Sequence, residues 1–557
     1  MDTQRLILFF VFTMSVFLLY EGWQRDQLAT HTAAVAPAPG AVPTKSGGSV
    51  PGVAVPAPTI QQTPAAPTPT PVGPTGNTVI STGKTIKVET DLYFAEISTT
   101  GGDLVGLRFK KHGGTLDPKK NFVLFTREAD HVYVAQSGLI GPGLPNHQTA
   151  YVAPAEDYKL TDGAGVLEIR LEANGVKSAK TYRFQRNSYV IEIAHELTNG
   201  GTAPLEAFGY FQIVRDTKPP EGDSSMVPTY TGPAVYTDKE KFQKVAFGDI
   251  DKGKVPYPKN SNDGWVGMLQ HYFLSAWLPR GNTPREFYTR QLQQGLYAAG
   301  VILPLGSLAP GASASITVPL YAGPQEQQKL AALAPGLDLA VDYGWLTVIA
   351  VPLFWVLQWI HGLVDNWGVA IILLTVLIKL LFYPLSEASY RSMAKMRVVA
   401  PKMQRLKEQY GEDRQRMQQA MMELYKTEKI NPLGGCLPIV VQIPVFIALY
   451  WVLLGSVEMR QAPFALWVTD LSAPDPWYIL PILMGATMII QTRLNPEPPD
   501  PIQAKVMKIM PVAFSIFFFF FPAGLVLYWL VNNVLSIAQQ WHINRSIEGN
   551  KAAANKS

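Results

Sequence analysis

Thirty-six consecutive residues between Lys508 and Arg545 carry no charged side chain. Hydrocarbon accepts about 20 apolar residues per helical crossing, so this run is too long for one span. Phe521-Pro522-Ala523-Gly524 interrupts it, which predicts two short helices joined by a tight turn. Four more uncharged stretches precede it, at 343–364, 367–378, 437–457 and 476–491. The C-terminal part of the chain therefore reads as a membrane protein. Composition agrees, because 16% of residues are charged, against roughly 25% in soluble proteins. A net charge of +4 over 557 residues excludes a strongly basic nucleic-acid binder, and no sequence-specific nucleic-acid partner is expected. The single cysteine, Cys436, excludes an intramolecular disulfide and a multi-cysteine zinc site.

Upstream, residues 6–20 form a mostly apolar run behind Arg5. The nearest A-x-A pattern, Ala34-Val35-Ala36, lies too far downstream for ordinary signal cleavage, so residues 1–24 are expected to be an uncleaved signal anchor. Residues 25–80 follow, proline-rich and almost without acidic or aromatic side chains. Such a segment buries too little apolar surface to offset its ordering entropy and reads as an extended tether. From about 81 to 335 the pattern changes to period two, as in Thr85-Ile86-Lys87-Val88-Glu89 and Tyr189-Val190-Ile191-Glu192-Ile193. Frequent Gly, Pro, Asn and Asp punctuation makes this an antiparallel β domain of sandwich type, closed by a short helix at 325–334.

Charge fixes a topology. The segment 385–431 holds ten Lys and Arg, so the positive-inside rule places it in the cytoplasm. If 342–364 and 366–384 both crossed, that segment would face outward. The first stretch holds Trp345, Trp355 and Trp359, with Trp367 just beyond. It is therefore assigned to the outer interface, where tryptophan prefers to sit. The expected spans are the anchor, 366–384, 435–456, 476–492, 505–520 and 523–541, six in all. The tail 542–557 and the loop 493–504 are internal, and the loop 457–475 is external.

Lys379 is the most informative residue, a charge well inside a span. Thr375, Lys379 and Tyr383 follow at i, i+4, i+8 and share one helical face. Tyr528, Asn532, Ser536 and Gln540 repeat that spacing in the last span, and Gln442 stands in the 435–456 span. Two readings stay open: lysine snorkelling with polar stripes that bond helix to helix, or stripes that line a hydrated groove. The segment 385–431 reads as a helical hairpin turning at Gly411-Glu412-Asp413, with Met393, Met396, Arg397 and Met403 on its first arm. Either a methionine seam or an adaptable contact surface fits that pattern. No spacing for metal ligands, nucleophile elbow or phosphate loop emerges, so neither cofactor nor metal is expected. A secondary transporter would show repeated halves and a coupling acid, which are not visible. A carbohydrate-binding β module on a membrane anchor is the other rival.

The string Asn431-Pro432-Leu433-Gly434-Gly435-Cys436-Leu437-Pro438, continuing from Gln442-Ile443-Pro444 to Tyr450, resembles the signature of the YidC membrane protein insertases, within the YidC/Oxa/Alb family. Arg460-Gln461-Ala462-Pro463-Phe464-Ala465-Leu466-Trp467 and Phe521-Pro522-Ala523-Gly524-Leu525-Val526-Leu527-Tyr528-Trp529 are similar to it as well. The resemblance covers about 342–541, while the anchor, tether and β domain match the Gram-negative form. It implies a protein, not an enzyme, that inserts and helps fold membrane proteins in the bacterial inner membrane, alone or with the Sec translocon. Nascent membrane proteins, the Sec translocon, the lipid bilayer and the ribosome are the implied partners. It implies a hydrated groove whose positive residue is Lys379, where relatives more often carry arginine. Thr375, Gln442, Tyr528 and Asn532 would share that groove, and Trp529 replaces a tyrosine common in relatives. The exported domain would be a periplasmic β-supersandwich, a shape shared with sugar-active enzymes, without a catalytic pair to carry over.

Overall fold

A computed structural model describes residues 83–222, 229–292, 295–411, 413–428, 437–494 and 501–554. The expected anchor and tether, and Cys436, lie outside the described residues.

The period-two region forms two sheets, one of ten strands and one of nine. At the centre of the first, Leu205–Arg215 pairs antiparallel with Tyr297–Leu308 and with Val132–Ile140. At the centre of the second, Ser313–Pro324 pairs with Val190–Thr198 and with Phe273–Trp277. Alternation follows the sequence: in Val190–Thr198, Ile191, Ile193, His195 and Leu197 are buried and their neighbours half-buried. A core rich in aromatics fills the space between the sheets, with Tyr93, Phe109, Phe211, Trp265 and Trp277 almost fully buried. Lys180 is among the cations buried in this domain. The Lys180 Nζ donates to Gly101 O at 3.0 Å, Ser137 O at 3.1 Å and the Asp103 carboxylate at 3.3 Å. Those acceptors replace the water it loses.

Helices α1 (Phe247–Asp251) and α2 (Gln327–Leu333) belong to this half. The remaining helices are α3 (Thr347–Val364), α4 (Trp367–Leu381), α5 (Tyr383–Tyr410), α6 (Arg414–Thr427), α7 (Leu437–Gly455), α8 (Ile479–Leu494), α9 (Pro501–Phe517) and α10 (Ala523–Ala554). Among the described residues, Gly344–Val364 is the one unbroken helical stretch that is both long and apolar enough to cross a bilayer. This is the stretch whose tryptophans gave the expectation of an interfacial position. Asn366 starts α4: its side chain accepts from Val369 N at 3.0 Å and donates to Phe464 O at 2.9 Å. That cap satisfies an orphan helix donor and fixes the loop 457–475 over the α3–α4 corner.

The sequence stripe Thr375, Lys379, Tyr383 does not survive as one face. Helix α4 ends at Leu381, and α5 leaves at an angle of 65°. Pro384 lies in the first turn of α5. A proline there needs no N–H, but its ring would clash with the carbonyl four residues back if the helix ran straight. Tyr383 therefore belongs to the new axis.

Helix α5 ends at Tyr410 and α6 begins at Arg414, and the Asp413 carboxylate caps α6 through the backbone N–H groups of Gln415 and Arg416. Val399 and Met403 are buried between its arms with Met396, Met421, Leu424 and Tyr425 packed against them. Helix α9 approaches α8 closely at Gly485, where an added Cβ would overlap Ser515 Oγ. Ala523 N donates to Ala473 O at 2.8 Å and Gly524 N to Leu471 O at 2.9 Å, tying the loop 457–475 to the turn before α10.

Candidate functional site

Helices α4, α5, α7, α8 and α10 enclose a cavity of about 330 Å³. Each wall arises from local sequence. From α4 comes Lys379, 7% exposed. Its Nζ donates to Ser536 Oγ at 2.8 Å, and Ser536 in turn donates to Asn532 O at 2.7 Å. Helical spacing puts Tyr528, Asn532 and Ser536 of α10 on the same side, and all three line the cavity. From α7, the Gln442 amide donates to Asn532 Oδ1 at 2.6 Å. Phe446 lies against Tyr528 at 5.9 Å and meets Trp529 edge-on at 4.5 Å, adding aromatic rings to the lining. From α8 come Met488, Gln491 and Thr492.

Of the expected groove residues, the cavity brings together Lys379, Gln442, Tyr528, Trp529 and Asn532. Thr375 does not line it: it is 1% exposed, and its hydroxyl donates back to Ile371 O at 2.6 Å. The hairpin residues separate. Met393 lines the cavity, Met403 and Met396 pack within the hairpin seam, and the Arg397 side chain lies outside the described residues. Sequence reasoning missed Ser386, Ser389 and Tyr390, which form the α5 wall. A signal for them existed, because Ser386, Ser389, Tyr390 and Met393 recur at i, i+3, i+4, i+7 just after Pro384. Counting these residues with the hairpin concealed it.

None of the sixteen residues lining the cavity is acidic. Hydroxyls and amides can solvate a cation only in part, and among the described residues lining the cavity Lys379 has no acidic partner. Around the cavity the helices turn large apolar side chains outward. Leu380 and Leu381 on α4, Ile482 on α8, and Ile509 and Ile516 on α9 are all more than half exposed. Apolar surface of this extent is unfavourable against water and matches hydrocarbon. The arrangement is a polar pocket set in an apolar exterior.

Comparison with known proteins agrees with this layout. Residues 85–356 match the family described as YidC periplasmic domain, and 359–551 match the 60Kd inner membrane protein family. The chain is 54% identical to the membrane protein insertase YidC of Nitrosospira multiformis, across 100% of this chain and 99% of that protein. It is 56% identical to the protein of the same name from Aromatoleum aromaticum, across 100% of both. A crystal structure of an active YidC insertase with its first transmembrane domain resolved is 19% identical, covers 83% of this chain and 93% of that one, and has a TM-score of 0.38. The two full-length relatives and the two family matches carry the assignment, and both halves described above fall within it: the chain belongs to the YidC family of membrane protein insertases, proteins of the inner membrane.

Proposed function

We propose that this chain inserts membrane proteins by receiving the polar end of a nascent substrate in the cavity around Lys379. The observation that carries this reading is a buried lysine among hydroxyls and amides with no acidic residue in the lining. An acidic residue on the substrate supplies the missing counter-ion. A polar segment that travels through the cavity crosses less hydrocarbon, where an unsatisfied backbone group costs several kcal/mol. The apolar part of the substrate then passes between helices whose outer faces are already apolar, and its burial in lipid drives the step.

This reading takes the chain as six spans. They are the anchor at 1–24 and the segments 366–384, 435–456, 476–492, 505–520 and 523–541, with 342–364 lying along the outer interface. The β domain at 81–335 is then periplasmic, and the hairpin and tail are cytoplasmic. Met393, Met396, Arg397 and Met403 belong to the hairpin that first meets the nascent chain, with the ribosome and Sec translocon as partners and with a chaperone role in folding.

The test is complementation of cells depleted of their own insertase. Lys379→Arg preserves the cation and is expected to support insertion of substrates with acidic translocated ends. Lys379→Glu places an anion against an anion and is expected to reduce it at least tenfold. Equal activity of the two variants overturns the role given to the cavity.

A further inference from the structure

Arg460 is the single Lys or Arg of the external loop 457–475, and the cavity makes no use of it. It is 9% exposed, although it lies in a loop. Its Nη2 donates to Gly113 O at 2.6 Å and to Thr115 Oγ1 at 3.2 Å, both in the β domain. Its guanidinium carbon lies 5.1 Å from the ring centre of Phe122, 5.4 Å from Phe273 and 6.0 Å from Tyr272. A guanidinium suits such a seat, because its planar fork bonds oxygens at its edge while its face meets aromatic rings.

The neighbouring residues reinforce the contact. The Gln461 side-chain amide accepts from Gly113 N at 3.0 Å and donates to Gly114 O at 3.3 Å, gripping the β-domain backbone at two points. Its backbone holds φ at +57°, a left-handed conformation uncommon outside glycine. The His271 ring bonds Leu454 O at 3.1 Å, one residue before the end of α7. Val457 is packed into the core of the sandwich itself. Polar pairing, ring contacts and apolar burial thus all meet at the segment immediately following α7.

We propose that Arg460 is a positioning residue that pins the β domain to the outer end of α7, so that the sandwich and the helical half move as one body. Gln442, which holds Asn532 in the cavity, lies twelve residues before Leu454 on the same helix, about 18 Å away along the axis. The β domain accordingly acts as a brace for one wall of the cavity. The interface fixes geometry without touching substrate.

The test uses the full chain in nanodiscs. Val166→Cys on the sandwich and Ile482→Cys on α8 are spin-labelled in a Cys436→Ser background, and the distance distribution between them is measured. The unmodified interface is expected to give a single narrow peak. Arg460→Ala is expected to widen it at least twofold. Arg460→Lys is expected to restore part of the narrowness, since lysine still faces the rings but loses the fork. Gln461→Ala, a milder change on the same face, is expected to widen the peak less. An unchanged width in Arg460→Ala, or a peak already broad with Arg460 in place, overturns the proposal. Should Arg460→Ala fail to fold, Gln461→Ala decides the matter, and an unchanged width there overturns it.

Discussion

The hydroxyl of Ser536 stands between Lys379 and the rest of α10, accepting from the ammonium and donating to Asn532 O. Replacing it by an apolar side chain of similar size strips the buried ammonium of this acceptor. Leaving a buried donor unsatisfied costs about 1–3 kcal/mol, more when it is charged. Ser536→Val is therefore expected to lower the melting temperature of the detergent-solubilised protein, with Ser536→Thr close to the parent. Equal melting temperatures for Ser536→Val and Ser536→Thr would remove this bond from the account of Lys379. At this scale much was legible in advance. A lone lysine in an uncharged run and an i, i+4 row of polar residues on α10 both point inward, because a charge and a polar stripe have few other places to go in hydrocarbon. Thr375 shows where such reasoning stops. Its hydroxyl has a backbone acceptor one turn back, so a threonine can satisfy itself inside a helix and need not mark a cavity.

Helix α4 does not run on into the hairpin, and the 65° break after Leu381 decides the shape of the pocket. It swings Ser386, Ser389, Tyr390 and Met393 into the wall opposite α10. Pro384→Ala removes the ring that forbids a straight helix and is expected to move this wall outward. With Ser389→Cys and Asn533→Cys in a Cys436→Ser background, disulfide formation across the cavity should fall several-fold in Pro384→Ala. An unchanged yield would assign the bend to packing and not to proline. Element existence was readable from hydropathy: among the described residues each uncharged stretch became helical, and the Phe521-Pro522 interruption became the turn before α10. The bend was not readable, because a proline near a helix start favours the first turn of a new helix and the kink of an old one through the same ring. The hairpin seam was legible only as an alternative, since methionines at helical spacing fit packing and contact equally well. The two arms bury Met403 against Tyr425, whose hydroxyl lies 3.9 Å from its sulfur.

For the whole molecule, the two halves respond to different variables. The sandwich carries histidines that stay neutral in the fold: burial, aided by nearby Arg460, pushes His112 down to about 4, and burial pushes His147 down to about 4. His195 is held well below its ordinary value by burial and by Lys180. A histidine whose folded pKa is depressed contributes stability that is full above its unfolded pKa, about 6.5. That stability is lost as pH falls toward the folded value. Asp103, lifted by burial to about 6, runs the other way and loses its contribution as pH rises. Three groups outweigh one, so melting of the sandwich, followed by near-ultraviolet dichroism of the full chain, is expected at progressively lower temperature from pH 6.5 to pH 4. A flat profile would mean that the histidines are already charged. The helical half has a different property, set by the backbone bonds that join Leu471 and Ala473 to Gly524 and Ala523. The cavity lining reaches Tyr528 on α10, one turn from Gly524. With its lining ending at Tyr528, the pocket would be a blind vestibule and not a pore. An ion entering such a vestibule could not cross, so the membrane would keep its electrical resistance while a polypeptide is admitted. Planar bilayers containing the protein should show no steady conductance, and the voltage across the membrane remains intact.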